Sequence, residues 1–113
     1  MEAYAITKHV RLSSTKARLV ARLIVDKQVD EAKSILKTLP QRAARVIEKA
    51  LDSAVANGEN NFKMERKKMF VSLAIVDAEG PLKRMLPRGF GRADILRRPV
   101  SRIKVVVEEK EEV

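Results

Sequence analysis

The residues best suited to chemistry in this chain are the basic residues concentrated between Lys83 and Lys104. Eight basic residues and the single acid Asp94 give this stretch a net charge of +7, out of +9 for the whole chain of 113 residues. The eight are Lys83, Arg84, Arg88, Arg92, Arg97, Arg98, Arg102 and Lys104. Six of them are arginines, whose planar guanidinium group binds phosphate through paired hydrogen bonds and stacks on nucleobases. The stretch therefore predicts binding to a nucleic acid.

No other set of residues forms a catalytic or metal-binding pattern. The chain has one histidine and no cysteine, and a lone imidazole makes neither a catalytic triad nor a metal site. We expect His9 to be an ordinary strand residue, with a phosphate contact as the alternative. The sequence therefore predicts no enzyme activity, no metal and no cofactor.

The rest of the composition narrows the kind of nucleic acid and the location. Aromatic residues are scarce, because the chain holds one tyrosine, three phenylalanines and no tryptophan. That scarcity argues against stacking of splayed single strands and favours recognition of folded RNA by shape and backbone. No apolar run approaches the length of a membrane span, and the absence of cysteine is typical of a reducing compartment. We therefore predict a soluble cytoplasmic protein without a membrane partner.

Four further basic residues lie near the start of the chain. Arg11 precedes a predicted helix, and Lys16, Arg18 and Arg22 spread over that helix outside its apolar stripe. Such residues either contact RNA or form a solvated helix face. We include them among the predicted RNA-binding residues, and the two interpretations stay open at this point.

Three strands are predicted outside the basic stretch. Residues 3–10 alternate in polarity, which is typical of a half-buried strand. Runs rich in valine, isoleucine and phenylalanine predict a second strand that ends near Asp77 and a third over 103–107. The acidic tail that follows, from Glu108 onward, is predicted to fray.

Three helices are predicted between the first two strands. The first runs from an N-cap at Ser13 or Ser14 to about Val25, and the second begins at an Asp30 cap and is ended by Pro40. The third begins at Pro40 and ends at a left-handed C-cap supplied by Asn57-Gly58. Their predicted core residues are Ala17, Val20, Leu23 and Ile24, then Ala32, Ile35, Leu36 and Leu39, and then Ala43, Ile47, Ala50, Leu51, Ala54 and Val55. The order of elements predicts an α+β fold, with three helices packed on a small three-stranded antiparallel sheet.

The basic stretch connects the last two predicted strands and is long for a connection inside a compact domain. We predict a single domain whose globular body is 1–77 and 103–113, with a protruding basic β-hairpin over about 78–102. Arms of about ten residues would each reach about 33 Å. Glycines favour tight turns, so Gly89-Phe90-Gly91 is the predicted tip. A two-stranded ribbon is marginal in water, so we expect RNA to stabilise it.

The basic stretch also resembles the signature of a known family, the bacterial ribosomal large-subunit protein twenty-two family. The similar segments are Glu79-Gly80-Pro81, Lys83-Arg84, Pro87-Arg88 and Gly91-Arg92-Ala93-Asp94. Residues 14–27 resemble the first helix of that family, and SAVANGENN resembles the end of its third helix with the following loop. The resemblance covers nearly the whole chain.

The resemblance implies a structural component of the large ribosomal subunit. It implies that the hairpin contacts many domains of the large-subunit ribosomal RNA, that the protein takes part in early assembly, and that the hairpin tip lines the nascent-peptide exit tunnel. The implied partners are ribosomal RNA, neighbouring ribosomal proteins and the nascent peptide, with a monomer when free. Changes at the tip are associated in that family with altered response to macrolide antibiotics. The implied tunnel-facing residues are Met85, Pro87, Arg88, Gly89, Phe90, Gly91 and Arg92.

Three positions depart from the family pattern. Only Leu82 separates Gly80-Pro81 from Lys83-Arg84, where the family usually has two residues, and this puts the register of the outgoing arm in question. Pro99 removes a backbone donor, which predicts an interruption of strand pairing there. Phe90 occupies a tip position that is often polar or basic in the family.

Two other functional classes compete with the ribosomal one. A nonspecific architectural protein could embrace duplex DNA with a basic β-arm. Such a protein should dimerise and bind duplex DNA alone, whereas a ribosomal protein should be monomeric and prefer folded ribosomal RNA. A small enzyme is the third class, and it lacks any acid–base or nucleophile set.

Overall fold

The α+β fold predicted from the sequence is confirmed. The structure, a computed structural model, describes residues 2–79, 82–88, 92–98 and 100–109. Its elements are β1 (Glu2–Val10), α1 (Ser14–Ile24), α2 (Val29–Thr38), α3 (Arg42–Phe62), a 3₁₀ turn (Arg66–Lys68), β2 (Met69–Ala78), β3 (Leu82–Arg88), β4 (Arg92–Arg98) and β5 (Ser101–Glu109). The last strand is longer than predicted, because Glu108 and Glu109 pair with β1 and β2 rather than fraying.

The strands form two separate sheets. Strands β1, β5 and β2 form a three-stranded antiparallel sheet in that order, and β3 pairs with β4 in a separate two-stranded sheet. The central strand β5 is the most apolar, with Ile103, Val105 and Val107 buried against the helices. The three helices cover that face of the sheet, and the core lies between the two layers.

The helix stripes predicted from periodicity face the core, where Ile35 and Leu39 are partly buried and the others are buried, with one exception in α1. The exposed fraction of Leu23 is 48%, whereas Ala21 is buried in the core position that we expected Leu23 to occupy. The prediction for Leu23 was therefore wrong. Ala17, Val20, Ala21 and Ile24 form one narrow stripe at helical spacing, and Leu23 lies about 100° around the helix from Ile24.

The helix termini differ from the predicted caps. Gln28, not Asp30, caps α2, since its side-chain oxygen accepts hydrogen bonds from the backbone N–H groups of Asp30 and Glu31. Asp30 instead pairs with Arg66, whose Nε lies 2.8 Å from Asp30 Oδ1, and the hydrogen bond from Arg66 lowers the pKa of the Asp30 carboxyl. Pro40 precedes α3, which begins at Arg42, so its predicted place in the first turn was also wrong.

The third helix continues past its predicted end at Asn57-Gly58. It runs to Phe62, and the left-handed residue that ends it is Lys63, with a φ of 54°. Gly58 is buried inside the helix, and its carbonyl oxygen accepts a hydrogen bond from the N–H of Met64 at 3.0 Å. The turn signal in the sequence was overridden because tertiary packing holds Gly58 in the helix.

Two β-bulges shift the strands of the larger sheet. In β2 the register changes between Val71 and Leu73, so that Ser72 is the extra residue. In β1 it changes between Thr7 and Val10, and His9 has a φ of 58° there. A bulge reverses the face on which the following residues lie. Both bulges therefore decide which side chains reach the core.

Candidate nucleic-acid interface

The basic stretch forms a β-hairpin whose two arms are antiparallel. Its register runs from Leu82 opposite Arg98 at the base to Arg88 opposite Arg92 at the far end. Seven residues in each arm span about 20 Å at the rise of an antiparallel strand. The tip residues Gly89, Phe90 and Gly91 lie outside the described residues.

The register places basic residues directly opposite one another. Lys83 pairs with Arg97 and Arg88 pairs with Arg92, whereas the only acid, Asp94, pairs with Leu86. Like charges in opposite positions of an antiparallel ladder destabilise it. A ligand that carries negative charge would offset this repulsion.

A change of register separates the hairpin from the larger sheet. Ala78 pairs with Ser101, and the N–H of Glu79 donates to the carbonyl of Val100 at 2.9 Å, but Leu82 pairs with Arg98. The outgoing arm thus has two residues, 80 and 81, where the returning arm has position 99 alone. The register of the outgoing arm, which the spacing after Gly80-Pro81 put in question, thus sets Leu82 opposite Arg98. The interruption predicted at Pro99 falls on a position outside the described residues.

An open cleft of about 450 Å³ lies at the root of the hairpin. Lys8, His9, Asp77, Ala78, Glu79 and Arg102 line it. Two contacts fix its walls: His9 Nδ1 lies 2.8 Å from Glu79 Oε2, and Arg102 Nη2 lies 3.2 Å from Asp77 Oδ2. Basic and acidic groups lie side by side in the cleft and pair with one another. These pairs connect β1 to the base of the hairpin and leave little net positive charge to bind an anion.

Sequence reasoning missed the part that His9 and Glu79 play in this cleft. The ring of His9 is 82% exposed, and its backbone N–H donates to Glu79 Oε2 at 3.3 Å. Only its left-handed backbone sets it apart from an ordinary strand residue, and histidine is among the residues that tolerate this conformation. No signal in the sequence marks a bulge at this position.

The basic residues of the body are divided between the solvent and internal contacts. Arg11, Lys16 and Arg22 are exposed, and they make no ion pair within the described part of the chain. Arg18 Nε donates to the carbonyl oxygen of Val76 at 3.0 Å and so ties α1 to the edge of β2. Arg102 already has Asp77 as a partner. The structure thus leaves three cations of the helix region free for a ligand.

Within residues 2–79 and 100–109, no group of histidine, cysteine or acidic residues is arranged to hold a metal ion. No helix of the described chain is long and apolar enough to cross a membrane.

The chain is similar to known proteins along nearly its whole length. The sequence model of the family described as ribosomal protein L22p/L17e matches residues 5–108. The large ribosomal subunit protein uL22 of Thermoanaerobacter sp. (strain X514) is 52% identical over 112 residues, which cover 98% of this chain and 100% of that protein. The uL22 protein of Fusobacterium nucleatum subsp. nucleatum is 51% identical over 111 residues, with coverage of 98% and 100%. The uL22 protein of Thermotoga sp. (strain RQ2) is 46% identical over 110 residues, with coverage of 97% and 69%.

Proposed function

The chain belongs to the ribosomal protein L22p/L17e family, and we propose that it binds large-subunit ribosomal RNA through its basic hairpin. It is a structural constituent of the large ribosomal subunit, where it takes part in translation, and it is not an enzyme. The observation that carries the RNA proposal is the hairpin register, which sets Lys83 opposite Arg97 near the base of the arms. Phosphates between such pairs would remove the repulsion and order the arms.

The arms and the helix region have separate parts in this proposal. Lys83, Arg84, Arg97 and Arg98 anchor the two arms in RNA. Arg102, which lies in β5 and is paired with Asp77, adds a weaker contact at the root of the hairpin. Arg11, Lys16, Arg18 and Arg22 form a second contact on the body, with Lys16 and Arg22 free in the structure and Arg18 holding α1 in place. Two separated contacts would let the protein bring distant RNA segments together, which suits a role in subunit assembly.

The far end of the hairpin has a different environment in this proposal. Met85 to Arg92 approach the nascent-peptide exit tunnel, and Met85, Pro87, Arg88, Gly89, Phe90, Gly91 and Arg92 line its wall. Basic residues thin out toward the tip, where two glycines flank the lone aromatic Phe90. A tip that meets an open cavity does not need a phosphate for every residue. The free protein is a monomer, since a single hairpin completes the RNA-binding unit.

Salt dependence of RNA binding tests the proposed anchors. The change of Arg97 and Arg98 together to alanine should weaken binding to large-subunit ribosomal RNA and flatten the plot of log affinity against log salt by about 1.5 units, since each phosphate contact contributes somewhat less than one. The matched control changes Arg42 and Lys49, two exposed basic residues of α3, to alanine. The control should leave the slope unchanged.

Two results would contradict the proposal. An unchanged slope for the Arg97 and Arg98 variant would place those side chains in solvent. Equal affinity of the unmodified protein for duplex DNA and for ribosomal RNA would instead favour a nonspecific architectural protein. Co-sedimentation of the tagged protein with large subunits in high salt is the accompanying measurement.

A further inference from the structure

The face of the three-stranded sheet that points away from the helices exposes large apolar side chains. The exposed fractions are 54% for Tyr4, 42% for Ile6, 51% for Leu73 and 39% for Ile75. Single exposed apolar residues are normal on a protein surface, whereas contiguous ones mark an interaction site. The four side chains therefore indicate an interaction site only if they form one continuous surface.

The strand register makes them one surface. Tyr4 and Leu73 both pair with Val106, and Ile6 and Ile75 both pair with Lys104, so that two rows cross all three strands. Val106 is only 5% exposed although it lies outside the core between the helices and the sheet. We call the residues Tyr4, Ile6, Leu73, Ile75, Lys104 and Val106 the outer sheet patch.

The bulge at Ser72 creates half of this patch. Val71 lies on the core side, so an uninterrupted strand would also turn Leu73 and Ile75 inward. The extra residue reverses the alternation of inward-facing and outward-facing side chains, so Ala74 and Val76 lie on the core side instead. The Ser72 hydroxyl donates to the carbonyl of Val106 at 3.2 Å, which holds the bulge in place. The exposure of Leu73 and Ile75 is therefore a consequence of the bulge.

The charges around the patch do not favour RNA. Lys104 lies with its Nζ 5.0 Å from the centre of the Tyr4 ring, and Arg102 is paired with Asp77. Glu2 and Glu108 face each other at the end of the sheet beyond Tyr4. This face is close to neutral on a chain with a net charge of +9. A phosphate backbone needs free cations, and the cations described on this face already have partners.

Both outer strands of the sheet are contacted from the helix layer, whereas the exposed apolar side chains lie on the opposite face. Along β2, the N–H of Asp26 donates to Val71 O and the N–H of Val71 donates to Lys27 O. Along β1, the side chain of Asn57 donates to the carbonyl of Tyr4 at 2.9 Å. A second copy of the chain is disfavoured as the occupant, because two copies would bring together molecules that each carry a charge of +9.

We propose that the outer sheet patch docks an aliphatic segment of a neighbouring protein of the large subunit, with a carboxylate of that protein facing Lys104. The inference rests on the proposed place of the chain in the subunit. Aliphatic side chains on the partner would cover both apolar rows, and a carboxylate would complement the one central cation.

A photo-crosslinker at Leu73 in assembled large subunits tests the proposal. Leu73 is replaced by a photo-reactive phenylalanine, the subunits are purified and irradiated, and the RNA is digested before mass analysis. We expect one nuclease-resistant adduct that joins the chain to an apolar peptide of another subunit protein. Leu19, which is 60% exposed on α1 in the helix layer, carries the same crosslinker as the control and should not give that adduct.

The other outcomes each have a defined meaning. An RNA adduct alone, an adduct of the chain with itself, or no adduct in subunits that contain the protein would overturn the proposal. If the unmodified chain does not enter large subunits, the proposed function fails instead. As a second measurement, Leu73→Asp should lower the occupancy of the identified partner by about tenfold, the loss expected for one half-buried leucine. Leu19→Asp should not lower it, and both variants should bind ribosomal RNA as the unmodified protein does.

Discussion

At the scale of single residues, Gly58 shows how packing overrides a local signal. A glycine inside a helix normally costs stability, and an Asn-Gly pair normally ends one. Here a Cβ atom at position 58 would lie 2.9 Å from Met69 Cε, 3.1 Å from Met64 Sδ and 3.5 Å from Ala3 Cβ. The absence of a side chain therefore lets α3 lie close to the sheet while the helix continues to Phe62.

We predict that Gly58 tolerates only a very small side chain. Gly58→Leu should lower the free energy of unfolding by about 1–3 kcal/mol, the usual cost of overpacking a core. Gly58→Ala should stay within about 1 kcal/mol of the unmodified protein, because better helix propensity offsets a small shift of the Met69 methyl group. Denaturant unfolding measures both. The control is Ala56→Leu at an exposed position of the same helix, and equal stability of the two leucine variants would contradict the packing argument.

At the scale of elements, the core that the structure describes lies within the body. The buried cluster is drawn from residues 3–76 and 103–107 in the described chain. At the junction, the N–H of Glu79 donates to Val100 O, so the two ends of the hairpin already lie side by side. The division into a body and a hairpin stays a prediction, and the junction offers a clean place to test it.

We predict that the body folds without the hairpin. Replacement of residues 80–99 by Asn-Gly, a pair favoured in two-residue hairpin turns, should leave a single cooperative thermal transition. The physical reason is that the described helix and sheet faces bury one another. Calorimetry and circular dichroism measure the transition. Loss of cooperativity in this variant would show that the arms help to hold the core.

At the scale of the whole molecule, the protein is far from spherical. Its radius of gyration is 17.3 Å and it extends over 70 × 27 × 16 Å, whereas a compact chain of this length has a radius of gyration of about 13 Å. The long dimension lets one molecule contact sites that lie far apart.

We predict that the two ends of the hairpin meet different partners in the ribosome. A photo-crosslinker at Phe90 should capture nascent peptides once they are long enough to reach it, because the tip is proposed to line the tunnel. The same crosslinker at Arg98, at the base of the arms, should capture RNA. Translating ribosomes that carry each variant provide the measurement. RNA adducts alone at Phe90 would remove the tip from the tunnel wall and leave the RNA-binding proposal intact.

The sequence by itself determined the fold class and the positions of the helices and of the basic hairpin. Helical spacing located all three helices, since a stripe such as Ala43, Ile47 and Leu51 depends only on local periodicity. Charge and glycine content located the hairpin, because a stretch so basic cannot form a core of its own. These features are local in the chain, so no knowledge of neighbours was needed.

Only the tertiary structure decided which faces are covered and where elements end. The bulges at Ser72 and His9 depend on the partner strand β5, and no local pattern predicts them. The continuation of α3 through Gly58 depends on Met64 and Met69, which come after the helix in the chain. The opposed basic pairs of the hairpin depend on a register set at its root. In each case the deciding contact joins residues from different elements, and hydrophobic periodicity within one element does not contain that information.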